Sequence, residues 1–546
     1  MSGNVTNSSE AEERTSALVT NANAVAALAA AIEGTLGPKG LDCMLVDKFG
    51  DVTVTNDGAT ILDKIDTAHP AAKMLIKTAR AQEEEIGDGT TTTTILASAL
   101  ISEGAAHVAR GVPVTKVIEG IRLGVRVALE FMEKAAEPVS GHVCPSPQPS
   151  PQGEGEGLRM GRDLKSRPNM LARPNTSWNG DVLRQVALVA ARGHGDIADL
   201  IVEAARLTGP EMLVDPGFSL ADAVVAKEGA GNEVFAGLIL EKQRASRQMP
   251  RSVENAKVLI VDDALEPPQV EDRALATESG FGRRVALQEE FKQNIQKIID
   301  LGVKFVAAGN TIDPVAEEML TDAGVIAVRR LSGSDLAKLV DLTDARTIKR
   351  PSLSKDSDEL EGFLGRCERV YEDTRLDHIR VVGGDHGVAT VLVGASTREV
   401  KDERERIARD AAGAVQSAVR TGVVPGGGAV ELAAAKQVLA LRENVRGMAA
   451  YGVDCVVVAL KRPLARIVAN AGFNPLEKVE DAIAAQNETG NQALAIDCDT
   501  GEVADMRTLG VMDPTGVKLY ALRAATEVAE AILRINVIIR KRNEGE

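Results

Sequence analysis

Apolar residues recur at helical spacing through most of the first 136 positions. The alanine-rich stretch 15–34 predicts one helix, closed by the glycine–proline turn Gly34–Gly40. Segments 70–86, 90–110 and 114–136 predict further helices. Short strand-like runs, CMLVD and DVTVTNDGATIL, follow the first helix, with Asn56-Asp57-Gly58 as a tight-turn signal between them. The pattern breaks at 141–176, where Pro, Gly, Ser and Arg accumulate without any apolar period. This predicts a disordered insertion or a long surface loop. Helical spacing returns over 179–207.

From about 214 the texture changes. Strand runs at 256–264, 303–309 and 325–330 alternate with helical segments at 285–301 and 313–323, which predicts a parallel sheet with crossovers. Leu287, Phe291, Ile295, Ile298 and Ile299 form the apolar face of the first of these helices. The stretch 266–284 is polar, with few strand signals and an exposed-looking Phe281. Beyond it come a strand at 387–394 and a long helix at 399–421 ending at Gly422. A glycine turn then opens another helix (VVPGGGAVELAAA), followed by a turn-rich 509–518 and a last helix at 519–539.

With 546 residues the chain is too long for one core, so two to four domains are expected. Hydrophobic residues at 44%, charged residues at 26% and a mean hydropathy of -0.05 are ordinary for a soluble protein. Aromatics at 2% require a core of Ala, Val, Leu and Ile. A net charge of -16 without a long basic run argues against nucleic-acid binding through phosphate contacts. The five cysteines, at 43, 144, 367, 455 and 498, form no C-x-x-C pair. That disfavours a zinc site or disulfide framework and favours a reducing cytoplasm. The polar, acidic Met1–Arg14 is unlike a signal peptide, and no apolar run reads as long enough to span a bilayer.

Glycines ahead of helix starts suit phosphate binding, because backbone N–H groups point outward there and the helix dipole favours anions. Three such places stand out: Gly37–Gly40, Gly87–Thr92 and Gly426–Gly428. No G-x-x-x-x-G-K-[ST] occurs, which excludes a P-loop. Aspartates accompany these glycine clusters along the chain: Asp57, Asp88 and Asp513. Phosphate beside carboxylate calls for a hard cation, and Mg²⁺ fits. Asp88 then holds the metal, while Gly89 and the hydroxyls of Thr90, Thr91 and Thr92 take phosphate oxygens. Taken alone, G-D-G-T-T reads better as only an N-capped helix; clusters repeated over most of the chain favour the functional reading.

The segments TLGPKGLDCMLVD, TNDGATIL, HPAAKML, GDGTTTTTILASAL, VVPGGGAVEL and GVMDPTGVK resemble the chaperonins, over nearly the whole chain except 141–176. TNDGATIL, HPAAKML and MPRSVENAKVLIVDDALE (249–266) are similar to the thermosome-like group II. GVVPGGGAVEL and GVMDPTGVK lean to the bacterial spelling, and the mixture is most similar to the bacterial group III chaperonins. The resemblance implies a multidomain α/β chain, α+β overall. It has a helical equatorial domain (1–140 and 422–546), a small intermediate domain (141–213 and 373–421) and an α/β apical domain (214–372). A built-in lid falls at about 266–284. It also implies an ATP-dependent chaperone: a homo-oligomeric double ring, eight subunits per ring, that binds unfolded or partly folded proteins and closes without a separate cap protein. Neither nucleic acid nor membrane is an expected partner.

Carried over residue by residue, the resemblance implies ATP contacts at Thr35, Leu36 and Gly37, at Gly58, at Gly89 to Thr92, at Gly427 against the nucleoside and at Asp513 on the ribose. Asp57 positions the attacking water and Asp88 ligates Mg²⁺. Asp410 lies on the edge of the apolar face formed by Ile407, Ala411, Ala414, Val415 and Ala418. Pattern alone balances a solvated aspartate against a functional one; the resemblance assigns it to activating water. In the nucleotide-sensing loop the matching stretch is ARGHGD, with His194 near the place of the family's lysine and a plain loop histidine as the favoured reading. Two other classes compete: an ATP-independent holdase or structural ring, which intact Asp57, Asp88 and Asp410 disfavour, and a metabolic ATPase or kinase, which lacks a visible transfer site. ATPase activity with unfolded protein and particle size on a sizing column separate the three.

Overall fold

The computed structural model describes residues 4–50, 52–139, 180–268, 278–384 and 389–536. The insertion expected at 141–176 lies outside the described residues, as do 269–277 of the polar stretch and 537–539 of the last expected helix. The chain divides into two compact units, residues 1–195 with 410–546 and residues 196–409.

The first unit is helical. Helices Asn4–Ile32, Pro70–Ile86, Thr90–Ala109, Val114–Ala135, Ala429–Asn444, Ala449–Asn470 and Thr515–Leu533 enclose a core of small and aliphatic side chains, including Val25, Leu75, Leu100, Ile121, Val456 and Leu522. Small residues let the backbones close up. Helices Val114–Ala135 and Ala449–Asn470 cross where a Cβ on Gly120 would stand 2.7 Å from the Gly452 Cα. Proline at Pro70 and an αL glycine at Gly87 set the two ends of their helix.

Two expectations are corrected here. Asn56-Asp57-Gly58 does not join strands. β1 (Cys43–Val46) pairs antiparallel with β2 (Val52–Thr55), and Asp57 then opens the helix Gly58–Lys64. The Asp57 carboxylate accepts from the N–H of Ala59 (3.2 Å) and Thr60 (2.8 Å), a cap that commits Ala59–Leu62 to helix. One stretch, Ala17–Thr35, is long and apolar enough to cross a membrane by length and composition, where none was expected. Its Leu18, Val25, Leu28 and Ile32 are buried in the helical core.

The second unit is built on an eight-stranded sheet of β3 (Val224–Glu228), β4 (Glu233–Leu240), β5 (Ser252–Val261), β6 (Val303–Ala308), β7 (Ile326–Val328), β8 (Gly365–Asp373), β9 (His378–Val382) and β10 (Ala389–Ala395). Its order is β3-β10-β4-β9-β8-β5-β6-β7. The sheet is mixed rather than parallel. β5–β6, β6–β7 and β3–β10 are parallel as crossovers dictate, and the hairpin β8–β9 and the β4 pairings are antiparallel. Alternation fills both faces: Val258, Ile260 and Phe305 meet the helix Gly333–Thr343 side, while Leu259, Val261 and Val306 meet Phe291, Ile295 and Ile298 of the helix Glu278–Asp300. That helix begins seven residues before the expected 285, so 278–284 of the polar stretch is helical.

Short strand pairs complete the first unit: β11 (Val423–Pro425) with β14 (Met512–Pro514), and β12 (Leu494–Ile496) with β13 (Val503–Asp505). Because the last helix starts at Thr515, residues 515–518 are helical rather than part of a turn.

Candidate nucleotide site

Helix Thr90–Ala109 opens on Gly89 in the left-handed region (φ 90°), with no side-chain cap on its first N–H groups. Asp88 does not cap it. One Asp88 oxygen accepts from the Gly89 N–H at 2.6 Å, and the loop is braced from beneath by Gln82, fully buried, whose amide donates to the Asp88 carbonyl at 2.6 Å. The five threonines divide by task. Thr93 and Thr94 are buried and donate back to the carbonyls of Gly89 and Thr90, both at 3.0 Å. Thr91 and Thr92 stay half-buried at the open helix end.

Gly58 brings the Asp57 turn onto this helix start: a Cβ there would meet the Thr90 hydroxyl at 3.1 Å and the Thr91 N–H at 3.3 Å. Asp57 is buried, capping its own helix and accepting from the Thr60 hydroxyl at 2.6 Å. On another side, a Cβ on Gly89 would touch Val517 at 2.8 Å, so the start of helix Thr515–Leu533 abuts the same loop.

The glycine triplet forms a second uncapped helix start. Gly427 (φ 60°) and Gly428 (φ 84°) take left-handed backbone ahead of helix Ala429–Asn444. A Cβ on Gly427 would meet Met506 at 3.0 Å, and one on Gly428 would meet Leu464 at 2.8 Å. Gly426 lies under the Asp513 carboxyl, which a Cβ would strike at 2.8 Å. Asp513 is placed by its register with Val424 across β11–β14 and by an ion pair to Lys518 at 2.7 Å.

Thr35, Leu36 and Gly37 form the third corner. The Thr35 hydroxyl donates to the Ile32 carbonyl (2.8 Å), a Cβ on Gly37 (φ 87°) would stand 3.2 Å from Ile467, and the Asn470 amide donates to the carbonyls of Glu33 (2.9 Å) and Leu36 (2.8 Å). Leu464 and Ile467 lie three apart on one helix, so the first loop and the glycine triplet are neighbours.

Asp410 is buried in helix Arg398–Thr421, at the residue where the first unit resumes. Loss of hydration raises its carboxyl well above the usual carboxylate range. The charges of Glu83, Asp57 and Asp88 add to the effect and Arg192 opposes it. Loss of hydration and the Asp513 charge likewise push Asp88 up to about 6, against the pull of the Gly89 N–H, Lys518 and Arg192. Among the described residues no three His, Cys, Asp or Glu side chains gather into a metal cage of their own. Mg²⁺ characteristically binds one or two carboxylates plus substrate phosphates, and one raised, under-compensated carboxylate beside two open helix starts fits that.

Sequence reasoning missed Gln82, Glu83, Arg192, Glu431, Asn470 and Lys518. A buried glutamine or asparagine leaves no periodic signal. Arg192 stands two residues before His194, in left-handed backbone (φ 53°), and its charge acts on both Asp88 and Asp410. The signal available was a cation flanked by glycine in ARGHGD.

Uncapped helix starts beside raised carboxylates suit a phosphate-bearing ligand, outside the P-loop class. The TCP-1/cpn60 chaperonin family model matches residues 28–143 and 162–543. Thermosome subunit beta of Aeropyrum pernix is 34% identical over 536 residues, 96% of this chain and 91% of that protein. The thermosome subunit of Methanopyrus kandleri is 32% identical over 534 residues, with 96% and 91% covered. A crystal structure of a group III chaperonin in the open state superposes with a TM-score of 0.81 at 40% identity, over 97% of this chain and 100% of that one. The chain belongs to the TCP-1/cpn60 chaperonin family. It is an ATP-dependent molecular chaperone that couples ATP hydrolysis to protein folding, binding client protein within oligomeric rings.

Proposed function

We propose that ATP binds with its phosphates on Gly89–Thr92 and Thr35–Gly37, its sugar on Asp513 and its base side against Gly427. The observation that carries this is the closed chain of contacts just described, in which Gly58 meets Thr90 and Thr91, Gly89 meets Val517, Gly426 meets Asp513, and Gly428 and Gly37 meet one helix. Asp88 is the magnesium ligand; when bound, the metal supplies positive charge between phosphate oxygens. Asp410, whose raised pKa suits a proton acceptor, activates the attacking water, and Asp57 orients it. Asp57 does so while capping its helix, so the cap fixes its carboxylate in place. Arg192, rather than His194, carries the positive charge of the sensing loop.

The reading extends to the three-domain division at 140, 213, 372 and 421, a cytoplasmic double ring of eight subunits per ring, and a built-in lid in place of a cap protein. The lid reading is supported by helix Glu278–Asp300. Phe281 and Val285, four residues apart, are 60% and 50% exposed, whereas Phe291, Ile295 and Ile298 are buried. Its first turns therefore extend past the core that anchors the rest.

Calorimetric titration of ATP with and without Mg²⁺ tests the site. In Asp88→Ala the magnesium-dependent part of the affinity disappears. Unchanged magnesium dependence removes Asp88 as the ligand. Negative-stain imaging with and without ATP reads ring number, symmetry and closure on the same protein.

A further inference from the structure

Lys518 is the fourth residue of helix Thr515–Leu533, at the end where the helix dipole is positive and a cation is disfavoured. Its side chain is only 11% exposed, and its ammonium lies 2.7 Å from Asp513 Oδ2 and 2.7 Å from Glu431 Oε1. Glu431 comes from the first turn of helix Ala429–Asn444, with its side chain 2% exposed. Three segments thus converge on one ammonium: β14, the helix after the glycine triplet and the last helix.

Buried ion groups of this kind seldom add net stability, since well-packed apolar side chains of similar volume do as well or better. A cation at the wrong end of a helix makes stability a still weaker explanation. What the triad does is hold Asp513. The Asp513 carboxyl rests on Gly426, its backbone is fixed by pairing with Val424, and Lys518 takes Oδ2. Glu431 shares the same ammonium, so the three groups together keep one net negative charge. Oδ1 is left as an acceptor for hydroxyl donors.

We infer that Lys518, anchored by Glu431, is a positioning residue for nucleotide recognition, fixing the Asp513 carboxylate in the orientation that reads the sugar hydroxyls. The inference rests on the proposed contact of Asp513 with the ribose. Without Lys518 the carboxylate is free to rotate, and affinity gained from the sugar is lost while that from the phosphates remains.

The test is calorimetric binding of ADP and of 2′,3′-dideoxy-ADP to the assembled full-length protein, so that hydrolysis plays no part. Wild type is expected to prefer ADP by roughly tenfold or more, the size of a charge-assisted hydrogen bond. In Lys518→Met the preference for ADP over the dideoxy compound falls to about twofold or less, while the loss of the charge that Lys518 exerts on Asp88 shifts both affinities alike. Lys518→Arg retains most of the preference. Glu431→Gln, which keeps the lysine but loosens its anchor, lowers the preference part-way and serves if the methionine variant does not assemble. An assembled Lys518→Met or Glu431→Gln protein with the wild-type preference overturns the inference. If Asp513→Asn then abolishes the preference, the ribose reading survives. A wild type that shows no preference overturns both.

Discussion

Gly413 lies directly against Gly87: a Cβ on Gly413 would stand 3.3 Å from the Gly87 Cα and 2.9 Å from the Ile86 carbonyl oxygen. Gly413 is one turn beyond Asp410, so this bare contact sets how close the Asp410 carboxylate comes to the Gly87–Thr92 loop. Gly413→Val forces the helix off the loop. We expect nucleotide binding within about twofold of wild type and turnover lowered by roughly tenfold to a hundredfold, as for a misplaced catalytic group. Wild-type kcat in this variant means that the close approach does not govern the reaction.

Asp410→Ala removes the proposed base and leaves Asp88 and the open helix starts in place. ATP binding persists, and hydrolysis falls by roughly a hundredfold or more. Single-turnover measurements separate this from slow product release. Turnover at the wild-type rate makes Asp410 a buried bystander.

Asp88 gives the nucleotide-free protein a pH signature. Its carboxyl titrates near 6 when folded, above the ordinary 3.8, so the folded state binds the extra proton. This contribution to stability is present at low pH and is lost as pH rises through about 6. The thermal midpoint of wild type therefore falls more steeply between pH 5 and 7.5 than that of Asp88→Asn. Parallel curves for the two proteins contradict the assignment.

Gln82→Leu strips both partners from the loop. The Asp88 carbonyl loses its 2.6 Å donor, and the Thr93 hydroxyl loses its 3.2 Å acceptor. The Thr93 hydroxyl keeps its bond to the Gly89 carbonyl, so one polar group, the Asp88 carbonyl, is left without its donor, at about 1–3 kcal/mol. Lower denaturant midpoints with weaker magnesium-dependent ATP binding are expected; a stable variant with normal affinity shows the brace to be dispensable.

Limited proteolysis reads the proposed lid. Cleavage within 266–284 is expected without nucleotide and is suppressed by ATP with a transition-state phosphate mimic. Equal cutting in both conditions removes the lid assignment.

The helices of the first unit were legible because their apolar spacing is regular and their ends carry glycine or proline, as at Pro70 and Gly87. The glycine–aspartate clusters were legible for a related reason: they interrupt that spacing. β8 was not, since Glu368 and Arg369 stand exposed between the buried Cys367 and Val370 and break the alternation. The helix at 278 was hidden because its first turns face no core and so carry no apolar period. Arg192 and Lys518 act through charge at a distance from their own elements, which no local pattern records. The Asp57 turn misled because the same residues serve a hairpin turn and a helix cap.

The crossing of Gly120 with Gly452 bears on how the molecule comes into being. The two helices that meet there are encoded on either side of the whole second unit. The ribosome delivers the first long before the second, and closing so large a loop is slow. The second unit is continuous in sequence, so every one of its internal contacts is available as soon as it has emerged. The helical unit waits, with half its core facing water, until the carboxyl-terminal helices arrive. A machine that shelters unfinished chains thus passes through a prolonged unfinished state itself.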